Sequence, residues 1–153
     1  MLTESEHIEK FASLISAQQL GLVVHVPEQW AYPTRCFGNV YLKIQQDGGR
    51  IQFGWMFHVR SVLNIPELRY LIAVHHAVWH APNGMVIDVT PFHSESKHHP
   101  IMLEDGVLFL LDDNAVLVKE KPLPSRFYAC CDDERLINHI KKMTDDEEFH
   151  YNL

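Results

Sequence analysis

"LIAVHHAVWHAPNGMVIDVT", residues 71 to 90, holds two apolar runs, and each is interrupted by polar groups that are costly to bury. Runs rich in Val, Ile and Trp on either side of Pro82-Asn83-Gly84 read as the two strands of a hairpin. A two-residue Asn83-Gly84 turn pairs residue 82 with 85 and sets Asp88 on the sheet face of His75. A three-residue loop with Gly84 left-handed pairs 81 with 85, and a proline at the first loop position suits this second option. In that register His76 lies opposite Thr90 and diagonal to Asp88 on one face, roughly 7 to 8 Å apart between backbones, a gap that side chains close. His76 and Asp88 are then partners. One step along a strand reverses the face, so His75 stays open as the alternative.

Outward from the hairpin, "GLVVHV" (21–26), "IQFGWMFHV" (51–59), "VLFLLD" (107–112) and "AVLVKE" (115–120) read as further strands, with the run from Leu68 to His80 as the longest. Thr3 and Glu6 form a capping box ahead of Ile8, Phe11, Ala12 and Ile15, which predicts a helix over about residues 4 to 17. A second helix follows an ordered loop at 27–35: Thr34 is its expected N-cap, Phe37, Val40, Tyr41 and Ile44 form its apolar face, and Gly48 and Gly49 end it. The chain closes with a short helix capped by Asp132 or Asp133, carrying Leu136, Ile137, Ile140 and Met143, and then about eight residues of flexible acidic tail. The expected class is α+β, with N-terminal helices packed on a mostly antiparallel sheet.

The chain of 153 residues fits one domain, 1–153, and its 46% hydrophobic content suits a packed core. A formal net charge of -7 and the lack of any basic run argue against nucleic acid as a partner. The N-terminus has neither the basic region nor the apolar stretch of a signal peptide, and no apolar run reaches 18 residues; the expectation is no membrane association and a cytoplasmic location. Cys36, Cys130 and Cys131 are odd in number and two are adjacent, so reduced thiols are expected. Trp55 and Trp79 are assigned to the core.

Cys36 falls in the first turn of the second predicted helix, where unpaired backbone N–H groups and the positive end of the helix dipole favour a thiolate. The same N–H groups can stabilise an oxyanion beside it. A carboxylate bonded to one imidazole nitrogen leaves the other free to take a thiol proton. Cys36, a histidine and Asp88 therefore compose a candidate triad, against the plainer reading of a buried structural cysteine and a satisfied His–Asp pair.

The order of a cysteine at a helix start, a strand with "HAVW" and a strand with Asp in "IDVTP" resembles the papain-like and transglutaminase-like cysteine enzymes. The pattern "CFGNV...GGRIQFGW...HHAVWHAPNGMVIDVTP" is also similar to small uncharacterised bacterial proteins of that fold; the likeness spans about residues 36 to 91. It implies a helix bearing the nucleophile packed on an antiparallel sheet, with Cys36 as nucleophile, His76 as base and Asp88 as orienting residue. The substrate would be a peptide, a protein or a small amide, with no cofactor. Phe37 follows the cysteine where those enzymes commonly have tryptophan. Gln29 and Asn39 are the candidate side-chain oxyanion donors.

Two other readings follow from the residues. His75, His76, His80, His93, His98 and His99, with Asp88, offer ligands for a zinc-dependent hydrolase, although they match no HExxH or CxxC spacing. A non-catalytic protein-binding domain of the same fold is the third.

Overall fold

The computed structural model describes residues 1–93 and 99–153, so residues 94–98, His98 among them, lie outside the described residues. The chain is α+β. In order, its elements are α1 (Glu4–Ile15), β1 (Leu20–His25), α2 (Cys36–Asp47), β2 (Arg50–Val62), β3 (Ile65–His80), β4 (Val86–Asp88), β5 (Met102–Leu103), β6 (Gly106–Leu111), β7 (Arg126–Ala129) and α3 (Glu134–Tyr151). The capping box forms as expected: the Glu6 N–H donates to Thr3 Oγ1 at 3.1 Å and the Thr3 N–H to Glu6 Oε1 at 3.2 Å.

The strands pair in the order β1-β4-β3-β2-β6, and β6 pairs back onto β1, so five strands close into a ring. All pairings are antiparallel except β1 with β4, which is parallel. Trp79 pairs with Ile87 and His80 with Val86, the register of the three-residue Pro82-Asn83-Gly84 loop. Gly84 has φ 90°, which a glycine adopts without strain. Closure brings β6 hard against β2 at Gly54, where an added Cβ would overlap Leu110 O and the Phe109 ring. Only glycine permits that approach.

Strand alternation gives the ring an inside and an outside. Val23, Val78 and Phe109 pack inside. On the outside, α1 sets Phe11 and Ala12 against Trp55, Phe57, Leu71 and Ala73, and α2 sets Val40 against Ala77, Trp79 and Val89. Both tryptophans are buried with their indole N–H bonded, Trp55 to Asp112 Oδ2 and Trp79 to Gly48 O. Leu136 of α3 packs on Leu68 and Tyr70, at the far end of β3.

Four expectations are corrected. "AVLVKE" is not a strand: Lys119 and Glu120 both have positive φ, and Val118 and Lys121 bridge across a tight turn. Thr34 does not cap α2, because its own φ is 66° and Arg35 occupies the N-cap with no side-chain bond. The terminal helix is not short; α3 runs 18 residues and carries the acidic segment expected in a tail. A four-residue strand, β7, pairs with β3 where the sequence suggested none. All three cysteines are free thiols.

Candidate active site

Along one edge of β3, β7 covers residues 70–73 and β4 covers 79–80, while residues 74–78 have no strand beside them among the described residues. A cleft of about 660 Å³ opens there. His76 reaches it from inside the ring, and Cys36 reaches it from the N-terminus of α2 outside.

His76 and Asp88 meet as the hairpin register requires: His76 Nε2 lies 3.0 Å from Asp88 Oδ2. Asp88 is fully buried, and its other oxygen accepts the Thr90 N–H at 3.2 Å. With Nε2 taken, Nδ1 is the ring nitrogen left for sulfur. Burial alone would push the His76 imidazole down; the charge of Asp88, then that of Cys36, and hydrogen bonds to both outweigh it and hold the ring well above its ordinary value. Cys36 is 6% exposed, and its charge acts on that imidazole.

His75 has a different task. Its Nε2 bonds Ala115 O, and its Nδ1 accepts the Leu123 N–H at 2.8 Å. A carbonyl only accepts and an amide N–H only donates, so the ring is the Nε2–H tautomer with both nitrogens engaged. Burial pushes its pKa down. His75 therefore ties down the segment that the sequence reads as a strand. We expect His75→Ala to cost about 1 to 3 kcal/mol, the desolvation of two orphaned backbone groups, and to speed amide exchange at Leu123. Iodoacetamide labelling of Cys36 should keep its dependence on His76; loss of that dependence in His75→Ala would reverse the assignment.

Neither side-chain oxyanion candidate is available at the cleft. Gln29 is exposed and does not line it. Asn39 is buried, and its amide hydrogens go to Tyr32 O at 2.8 Å and Thr90 Oγ1 at 3.0 Å, while its Oδ1 accepts the Tyr32 N–H at 3.1 Å. Asn39 is a brace joining α2 to the strand end that carries Asp88. The sequence offered no signal for Thr90, which receives this brace and donates its N–H to Asp88. The backbone N–H groups of Cys36, Phe37 and Gly38, in the first turn of α2, have no intrahelical acceptor.

Among the described residues no group of three or more His, Cys, Asp or Glu is placed to hold a metal ion. His75 and His76 leave β3 on opposite faces, and the His75 nitrogens are both in use. No helix among the described residues is long and apolar enough to cross a membrane. No family model, no curated protein and no solved structure matches the chain.

Proposed function

We infer that the chain is a cysteine hydrolase or acyltransferase with a papain-like or transglutaminase-like core, acting on an amide or thioester carbonyl. The observation that carries this reading is the His76–Asp88 bond at 3.0 Å in a buried site whose remaining imidazole nitrogen is left to Cys36. Asp88 and Cys36 raise the His76 imidazole well above its ordinary value and so favour the imidazolium, the counter-charge that a thiolate needs.

On an amide, Cys36 Sγ attacks the carbonyl carbon and the oxygen takes up the electron pair, facing the first-turn N–H groups of α2. The tetrahedral species collapses, the C–N bond breaks, and the His76 Nδ1 proton passes to the departing amine. An acyl group remains on sulfur. His76, now neutral, removes a proton from water or from an acceptor amine as it attacks, the C–S bond breaks, and Cys36 and His76 return to their starting charges. Asp88 holds the ring in one orientation throughout.

The test is alkylation of the folded protein with iodoacetamide at pH 7. Removing the imidazolium in His76→Ala should slow labelling of Cys36 at least tenfold, since an unassisted thiol is only a few per cent thiolate at that pH. Equal, slow labelling of both proteins would remove the activated nucleophile.

A further inference from the structure

The cleft does not end at the triad. His76 pairs across the ladder with Gly54, and the residues that follow on the same face of β2 are Met56, His58 and Arg60, all of which line the cleft. At about 3.3 Å per residue, Arg60 stands about 20 Å along the groove from the His76 position. That is the span of about six residues of extended chain between backbones, of which the long Arg60 side chain and an acidic side chain reaching toward each other can cover one or two. Val74, directly across from Met56, and the Pro122–Pro124 wall make the middle of the groove apolar.

Its far end is cationic. Arg60 makes no hydrogen bond or ion pair among the described residues, and its Nε atom is buried with no acceptor. A guanidinium held that way lacks the planar, two-oxygen partner its geometry matches. Against a net charge of -7 overall, the described lining of the groove is balanced, Arg60 and Lys121 standing against two carboxylates that are both engaged. Asp88 is engaged by His76, and Glu147 accepts the Ser125 N–H at 3.2 Å, where it fixes the wall.

We propose that the groove takes an extended peptide segment whose reactive carbonyl sits at Cys36 and whose carboxylate, four or five residues away, docks on Arg60. The proposal rests on the cysteine reading for its reactive end, and on Arg60 for its selectivity. It makes acidic peptides the substrate class.

Two sets of alkylating pentapeptides test it, one with an iodoacetyl group at the N-terminus and one with it on a C-terminal lysine side chain, so that both chain directions are sampled. In each set a single Asp or Asn is walked along an otherwise Gly/Ala sequence. In one set, Asp at the fourth or fifth residue from the iodoacetyl group should label Cys36 about tenfold faster than Asn, the scale of one charge-assisted bond. Arg60→Gln should erase that gain without changing the iodoacetamide rate, and Arg60→Lys, which restores the charge but not the fork, should regain part of it. Equal rates for Asp and Asn at every position, with iodoacetamide labelling still dependent on His76, overturn the anchor and leave the cysteine reading standing. A gain that survives Arg60→Gln also overturns it. If iodoacetamide labelling is slow and indifferent to His76, the cysteine reading fails instead. Fluorescein-tagged, iodine-free versions of the same peptides on Cys36→Ser protein then decide the anchor by anisotropy: tighter binding of Asp than Asn, lost in Arg60→Gln, supports it, and equal binding refutes it.

Discussion

Asp88→Asn is expected to lower folding stability by about 3 to 5 kcal/mol, the cost of removing one partner of a buried pair, and to slow iodoacetamide labelling of Cys36 at least as much as His76→Ala does. The carboxylate is fully buried and faces the only imidazole nitrogen not left to sulfur. An amide of the same shape donates where the carboxylate accepts. His76 would then keep its single proton on Nδ1, the tautomer that cannot take a proton from the thiol. The stability loss should depend on pH in a defined direction. His76 binds its proton more tightly in the folded chain than at the ordinary value of 6.5, so its contribution is fully present below about pH 6.5 and is lost as pH rises through the raised value. Urea titrations across the range from pH 6 upward should show this decline in the wild type and a flatter profile in Asp88→Asn. Parallel profiles would mean that the pair is not the coupled charge described.

Gly54→Ala should cost about 3 kcal/mol or more, at the upper end of overpacking costs. The new methyl would meet the Leu110 carbonyl and the Phe109 ring, one being backbone and the other a fully buried side chain, so neither has room to yield. Relief requires β6 to move away from β2, and with it the contact that closes the ring. Thermal melting measures this directly. A variant that melts within a degree or two of the wild type would show that the β2–β6 approach is looser than described.

Local chemistry was readable where it decides structure locally. The Thr3/Glu6 box fixes the start of α1, and the proline at 82 selects the three-residue loop that sets Asp88 against His76. What escaped depends on partners distant in the chain. The alternation in "AVLVKE" looks like a strand, yet the carbonyl of its first residue, Ala115, and the N–H of Leu123 beyond its end are bound by one histidine ring. Thr34 has the right side chain for a cap and the wrong backbone angle. Asn39 resembled a free donor because Tyr32 and Thr90, which use up its amide, come near it only in the fold. The parallel β1–β4 contact and the return of β6 to β1 have no sequence signature, since ring closure joins segments by geometry and not by a turn.

The seal between β1 and β6 also bears on how copies of this chain meet one another. An open sheet ends in a row of unsatisfied amides and carbonyls that can template fibrils. Here the described strands that flank the ring, β5 and β7, are two and four residues long. Stubs of that size offer too few contacts to recruit a second molecule. Leu22, Val24 and Met85 face solvent beside strands already paired on both sides or tied into the hairpin, so their apolar exposure is not coupled to growth by strand addition.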